Sequence, residues 1–253
     1  MIWIQKLLPK LIMEFFLRYL KHIGNELTRR REETILSLLP KGKEIRYLDL
    51  GCEDGRLTLE RANKIGTGSI YGVEIMDSVI KKARQKGIIV KKADLNGKIP
   101  FPNKSFDVIT ATQVIEHLYN IDAFVSEVYR ILKSGGIFIV STENLSAWHN
   151  IFALLLGLQP SVGPFISSKF SIGFHPLYKE HIKDHKDIPH LALMSGHTRV
   201  MAYNSFKKLF KLYKFKFLSE KTVGYYPFPG VFSNWLSSLD KWHSVDMILK
   251  LKK

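Results

Sequence analysis

The side chains best suited to chemistry in this sequence cluster in one short run, Gln113-Val114-Ile115-Glu116-His117. A helix starting near Gln113 would put residues 113, 116 and 117 at i, i+3 and i+4, on one face. An amide oxygen, a carboxylate and an imidazole would then converge. Such a set can take the proton from an oxygen nucleophile or hold a divalent ion that makes the proton easier to lose. A packed histidine donating to a carbonyl is the third reading. With an amide where a second acid would add charge, the set is a weaker site for a hard cation.

Those residues need elements to carry them, and the clearest is the loop in YLDLGCEDG (Tyr47–Gly55). An apolar strand there turns into a helix through Asp49, Gly51 and Gly55. Glycine lets the backbone approach a ligand closely, and the helix start offers unpaired N–H groups. The spacing is not the GxGxxG of a dinucleotide site. A second strand, Ser69–Glu74, ends in an acid about 20 residues after the loop, where folds of this kind bond ribose hydroxyls. A third, Ile88–Lys92, leads to Asp94 and Leu95. A fourth, Phe106–Ala111, runs into Gln113. A helix over Asp122–Leu132 and a turn over Lys133–Gly136 precede a fifth, Gly136–Thr142.

In this order, DxGCxxG, a strand-end acid, ADL, FDVITATQVIEH and LKSGGIFIVST resemble class I S-adenosylmethionine-dependent methyltransferases, of the ubiquinone-type (type 11) branch. The resemblance covers Tyr47–Glu143. It implies a Rossmann-like α/β fold with a seven-stranded, mostly parallel sheet, helices on both faces and an antiparallel last strand. It further implies that Asp49, Gly51 and Gly55 hold the methionine part of S-adenosylmethionine, Glu74 the ribose, Asp94 and Leu95 the adenine, and that Gln113 faces the sulfonium. Glu53 stands where the family usually has glycine, adding bulk and negative charge beside the cofactor's carboxylate. The run ending in Glu116-His117 is similar to the metal site of ubiquinone-type O-methyltransferases and of small-RNA 2′-O-methyltransferases, with Gln113 replacing the first acid. His197 is similar to a further histidine of the RNA enzymes, so Glu116, His117 and His197 are the expected catalytic residues and the candidate ligands of a divalent metal.

Four segments are expected: an N-terminal amphipathic helical cap over 1–44, a cofactor core over 45–143, a substrate-side insertion or lid over 144–204, and completion of the sheet over 205–253. In the first, Leu11, Ile12, Phe15, Phe16, Tyr19, Leu20 and Ile23 share a helical face opposite Lys10, Glu14, Arg18, Lys21 and His22, with Pro9 in the first turn. The face is expected to pack as a cap that closes the substrate side, the alternative being peripheral contact with a membrane. TRRREE (Thr28–Glu33) reads as a solvated face. In the insertion, Ile151–Leu158 reads as a short packed helix, and Pro160, Gly163, Pro164, Gly173 and Pro176 suggest a lid. Its five histidines from His175 to His197 suit a solvated lid better than a zinc site, since no cysteine lies nearby. Beyond it, a helix capped by Ser205 runs to Tyr213, a sixth strand spans Phe215–Val223, a helix Trp235–Trp242 and a seventh strand Ser244–Lys253.

The composition, 45% apolar and 24% charged over 253 residues, excludes general disorder. The one cysteine, Cys52, cannot form an internal disulfide and reads as a filler, and no cleavage pattern follows the apolar N-terminus, so a cytoplasmic protein is expected. The net charge is +15, and residues 143–253 hold 15 Lys/Arg against 7 Asp/Glu. A polyanionic partner such as nucleic acid or an anionic lipid surface is one explanation, a lysine-rich solubilising surface another. Lys207–Phe217 interleaves cations with aromatics, a pattern that fits a helix end and an edge strand better than an RNA contact. The expected activity is methylation of an oxygen on a small or lipid-like metabolite, a quinone precursor or glycan component. RNA 2′-O-methylation and a degenerate, non-catalytic binding protein are the alternatives.

Overall fold

The computed structural model describes residues 2–160, 162–163 and 197–253. Seven strands form one sheet in the order β3-β2-β1-β4-β5-β7-β6. They are β1 (Tyr47–Leu50), β2 (Ile70–Glu74), β3 (Ile89–Lys92), β4 (Phe106–Thr112), β5 (Leu132–Glu143), β6 (Lys216–Val223) and β7 (Asp246–Lys252). The first five are parallel, while β7 runs antiparallel to both β5 and β6. The helices are α1 (Ile2–Leu38), α2 (Arg56–Ile65), α3 (Asp77–Gln85), α4 (Ile121–Ile131), α5 (Trp148–Leu155), α6 (Tyr203–Leu212) and α7 (Gly230–Leu239). This is the Rossmann-like, mostly parallel seven-stranded fold that the sequence leads one to expect.

Alternation along the strands sends neighbouring side chains to opposite faces of the sheet. Leu48, Leu50, Ile109, Ala111, Phe138 and Val140 bury against Phe124, Val125 and Val128 of α4 and Phe206 and Phe210 of α6. On the other face Tyr47, Val108, Ile139 and Ile248 meet Ile23, Leu27, Ile35 and Leu38 of α1 and Ala62 and Ile65 of α2. β6 is an edge strand with Lys216 and Lys221 exposed, and their charges oppose pairing of its open edge with another strand.

Several local expectations are corrected. Pro9 lies inside α1, not in its first turn, and costs that helix the hydrogen bond its missing N–H would make. The Thr28–Glu33 segment is not a uniformly solvated face. Arg29 and Glu33 pair in solvent, but Arg31 turns inward to Asp246 at 3.1 Å and Glu32 to Arg61 at 2.8 Å, because a helix lying on a sheet must present residues 31 and 32 to it. Lys133–Gly136 is part of β5, its register shifting between Phe106 and Val108 of β4, rather than a turn outside the strand. The helix expected to start at Ser205 begins at Tyr203 after Ala202, with no side-chain cap. The one expected over Trp235–Trp242 is α7, ending at Leu239, followed by a 3₁₀ turn over Lys241–His243. Finally, α5 is not a packed helix: Phe152, Leu154 and Leu155 are exposed, while Asn150 and Ala153 are buried. Among the described residues no helix is long and apolar enough to cross a membrane.

Candidate functional site

The strand order reverses direction between β1 and β4, and a cleft of about 330 Å³ opens there at the carboxyl ends of the strands. Gly51, Glu53, Glu74, Asp94, Leu95, Gln113 and His117 all line it. Gly51 has φ +77°, and a Cβ on it would lie 2.6 Å from Cγ2 of Val114, so both the turn and the close packing require glycine. Gly55, at φ +81°, caps α2 behind the cleft, where a Cβ would meet Ile88 at 2.4 Å.

Glu74 is fixed at the cleft wall by its own backbone neighbours. Its Oε1 accepts from the N–H groups of Ile75 and Met76 at 2.7 and 3.1 Å, and its Oε2 from that of Glu53 at 3.1 Å. The remaining lone pairs can accept from vicinal hydroxyls. Asp94 accepts from the backbone and side-chain N–H groups of Asn96, both at 2.8 Å, and Asn96 in turn accepts from the N–H groups of Tyr119 and Asn120. Leu95 is buried below them. Glu53 stands at φ 46°, a left-handed conformation that favours glycine. Partial burial, then the nearby Glu74 and Asp54, push its carboxyl above the usual range.

Asp49 lies elsewhere. Its side chain points to the α1/α2 face, is 2% exposed and is not among the cleft-lining residues. It accepts from Thr58 and Thr110 hydroxyls, both at 2.6 Å, and from the Arg61 guanidinium at 3.1 Å, while Arg61 also binds Glu32. Tyr47 bonds the Thr110 hydroxyl at 2.7 Å. Cys52 is buried against Gly72, and burial raises its thiol well above the normal range, as befits a filler.

The expected helix at Gln113 is absent, and with it the expected convergence. Gln113 has φ 53° and only a 3₁₀ turn, Ile115–His117, follows, so the i, i+3, i+4 geometry does not arise. Gln113 turns instead toward Ser141 and Asp246, with its Nε2 at the long distances of 3.4 and 3.5 Å. His197 stands beside His117 and Glu116 instead. The N–H groups of Thr198 and Arg199 donate to the Glu116 carbonyl at 2.7 and 3.0 Å, and Arg199 also donates to the Tyr119 carbonyl. This clamp brings the His197 ring to 5.1 Å from that of His117. Ligand atoms of Glu116, His117 and His197 lie within 4.8 Å of one another.

The electrostatics of this corner are unbalanced. Glu116 is fully buried, its Oε2 accepts from Thr142 at 3.0 Å, and its Oε1 has no hydrogen-bond partner among the described residues. Burial raises its carboxyl to about 7. Burial, then the neighbouring Asp246 and Glu116, raise Glu143 to about 8. Asp246 is held up by burial against the opposing Arg31. His197, with Nδ1 at 3.1 Å from the Val162 carbonyl and 3.4 Å from Glu143, is shifted down by burial and by His117. At neutral pH it is therefore uncharged, its Nδ1–H donating to the Val162 carbonyl and its Nε2 carrying the lone pair.

Sequence reasoning passed over Arg31, Asn96, Glu143 and Asp246. The signal for Asp246 was an acid leading directly into the apolar run Met247–Leu249; Arg31 was hidden in a run of charges. The other expected lid histidines, from His175 to His190, with Gly173 and Pro176, lie outside the described residues.

Comparison with known proteins agrees with this fold. Residues 48–140 match the model of a methyltransferase domain. The chain is similar to the demethylmenaquinone methyltransferase of Listeria welshimeri, 28% identical over 155 residues, covering 56% of this chain and 64% of that protein. The chain thus spans somewhat less than two thirds of that relative. Among solved structures, an S-adenosylmethionine-dependent methyltransferase from Mesorhizobium loti superposes with a TM-score of 0.56 at 16% identity, covering 86% of this chain and 94% of the other. One from Archaeoglobus fulgidus gives 0.55 at 16% identity, covering 90% and 94%.

Proposed function

We propose, for a chain whose residues 48–140 belong to the methyltransferase-domain family, that it transfers a methyl group from S-adenosylmethionine to an oxygen of a small or lipid-like metabolite. The observation that carries the oxygen acceptor is the corner formed by Glu116, His117 and His197, of which His117 lines the cleft. A quinone-like or glycan-like hydroxyl fits it; the similarity to a demethylmenaquinone methyltransferase supports a quinone-class substrate, while the choice of oxygen as the methylated atom rests on this corner alone.

The cleft suits the cofactor. Glu74 presents oriented carboxylate oxygens to ribose hydroxyls, the Asp94–Asn96 loop with Leu95 forms the adenine slot, and the Gly51 turn leaves backbone within reach of the methionine part. When bound, S-adenosylmethionine supplies an electrophilic methyl on a positively charged sulfur, transferred in line to the attacking oxygen. Asp49 acts behind the loop, tying β1 to α2 and β4 through Thr58, Arg61 and Thr110. His117, at the cleft wall, takes the acceptor's hydroxyl proton onto its imidazole as the oxygen–methyl bond forms. His197, its Nδ1 3.1 Å from the Val162 carbonyl, packs beside that ring and positions it, and the proton leaves His117 for water at the mouth of the cleft.

The same corner fits a divalent metal. Two imidazoles and a carboxylate whose Oε1 lacks a partner among the described residues are a donor set for zinc or manganese more than for magnesium. Glu116, His117 and His197 would hold the ion, and the chemistry it would add is a lower pKa for the acceptor hydroxyl.

The test is calorimetric titration with S-adenosylhomocysteine in metal-free buffer and with manganese or zinc, followed by methyl transfer to phenolic, catecholic and sugar hydroxyls. Micromolar binding and transfer lost in His117→Ala is the expected result. Failure to bind under every condition would make this a degenerate, non-catalytic fold. Transfer to RNA ends, with binding that weakens steeply with salt, would replace the small-molecule acceptor.

A further inference from the structure

The helix α7 is inside out. It buries Ser233 and Ser237, at 1% and 5% exposure, and exposes Val231, Phe232, Trp235 and Leu239, at 83%, 50%, 54% and 63%. At 100° per residue those four side chains fall within a 100° arc, the width of the apolar stripe that a surface helix normally turns inward. The inversion is anchored by hydrogen bonds. Ser233 Oγ accepts from the Tyr225 N–H at 2.7 Å, and the Ser237 carbonyl accepts from the Thr222 hydroxyl at 3.2 Å. Rotating the helix would break both, so the outward apolar face is fixed by the fold.

The face continues beyond the helix. Phe228 meets Phe232 edge-on at 5.2 Å, and Phe232 stacks near Trp235 at 5.7 Å. Trp242, half exposed, follows in the 3₁₀ turn, whose His243 ring lies 4.4 Å from Trp148 of α5. From there Phe152, Leu154 and Leu155 extend it among the described residues. The Tyr19 hydroxyl of α1 donates to the Pro227 carbonyl, and the exposed Phe15 is one helical turn before it. Isolated exposed apolar residues are ordinary, but a contiguous set of this extent marks an interaction surface.

The charge pattern names the partner. Residues 144–160 carry no charged side chain, and 225–243 carry only Lys241 and Asp240, the latter occupied by Tyr225, Trp148 and His243. Arg30, Lys221 and Lys241 line the groove beside α7, whose acids Glu33 and Glu220 are paired with Arg29 and Lys207, and the exposed Arg18 and Lys21 flank Tyr19 on α1. A neutral aromatic face rimmed by cations suits the boundary of an anionic bilayer. Two copies of a chain bearing +15 would repel at such a face.

Position adds the purpose. α5 leaves the carboxyl end of β5, and the turn after α7 enters β7 at Asp246, which pairs with Glu143. The apolar face thus lies at the sheet edge where the cleft opens.

We propose that the outward face of α7, with Phe228, Trp242 and the exposed side of α5, docks this protein on an anionic lipid surface, from which a lipid-borne acceptor reaches the cleft. The delivery clause rests on the methyl-transfer reading; the docking does not, and is read without turnover.

The experiment is flotation of the full chain with vesicles of phosphatidylcholine alone and of phosphatidylcholine with 30% phosphatidylglycerol, in the wild type and in a Phe232→Ser, Trp235→Ser double variant, with size-exclusion chromatography alongside. Fold is checked by circular dichroism and by S-adenosylhomocysteine titration, which the variant should leave as in the wild type. The expected result is at least tenfold more binding to the anionic vesicles, a blue shift of tryptophan emission on binding, and at least a tenfold loss of both effects in the double variant. Equal binding by the variant would assign any membrane contact to α1 and overturn the proposal. So would absence of flotation, or a wild-type dimer that the variant converts to monomer.

Discussion

Two buried charge clusters lie on either side of α1, fed by adjacent residues of that helix, and they differ in how completely their charges are matched. Glu32 enters the first, where Arg61 binds both Glu32 and Asp49 and two threonine hydroxyls complete the Asp49 carboxylate. Arg31 enters the second, where one guanidinium faces Asp246, Glu143 and Glu116, and polar atoms of Arg31, Glu143 and Glu116 are left without hydrogen bonds among the described residues. A matched cluster fixes structure, whereas a mismatched one holds groups whose protonation can change at neutral pH. The first supports the loop after β1 from behind; the second borders the proposed acceptor corner at His117 and His197.

The largest effect is expected in the matched cluster. Arg61→Ala leaves two buried carboxylates without a cation and should cost about 3–5 kcal/mol in denaturant unfolding. Arg31→Ala should cost clearly less at pH 6, because of the three carboxyls it faces Glu116 and Glu143, with values of about 7 and 8, are already largely protonated and only Asp246 loses its ion pair. Equal losses would show that the two clusters do the same work.

Next comes His117→Ala. Transfer should fall about a hundredfold or more, with S-adenosylhomocysteine affinity and unfolding midpoint little changed. An active variant would remove both the base and the metal-ligand roles.

A smaller effect concerns pH. The Glu116 carboxyl is raised in the folded state, to about 7 from 4.5, so in that window the folded metal-free protein holds a proton that the unfolded chain has lost. Stability from this group is therefore present below the unfolded value and lost as pH rises toward 7 and above. Glu116→Gln should flatten that decline and stabilise the metal-free protein at pH 8 by about 2 kcal/mol, as read from unfolding curves at pH 5 and 8. A steeper decline in the variant would contradict the assignment.

The smallest effect is at the cleft rim. Glu53→Gly removes a left-handed non-glycine residue and a carboxylate beside Glu74, and should tighten S-adenosylhomocysteine binding severalfold, about 1 kcal/mol. Weaker binding in calorimetry would mean that Glu53 itself contacts the cofactor.

Much of the cofactor side was legible because it is local. The loop after β1, the acid ending β2 and the Asp94–Leu95 pair each follow a strand by a residue or two, so strand phasing alone brings them to one edge of the sheet. The acceptor side was legible only in its residue types. Glu116 and His117 were identifiable, but the helix expected to align them with Gln113 gives way to a 3₁₀ turn, because the Glu116 carbonyl bonds the distant Thr198 and Arg199.

The sequence by itself thus determined the order of strands and helices, the glycines of the cofactor turn and the identity of the residues able to carry a proton or hold a metal. These follow from hydrophobic periodicity and from backbone conformations that few residue types accept. Only the tertiary structure decided that Asp49 faces Arg61 rather than the cleft, that His197 meets His117 across 80 residues, that Arg31 and Glu32 serve separate buried clusters, and that α7 turns its apolar side outward. Each depends on which groups share a desolvated space, and no local pattern encodes that, because hydrogen bonds and ion pairs between distant segments settle it.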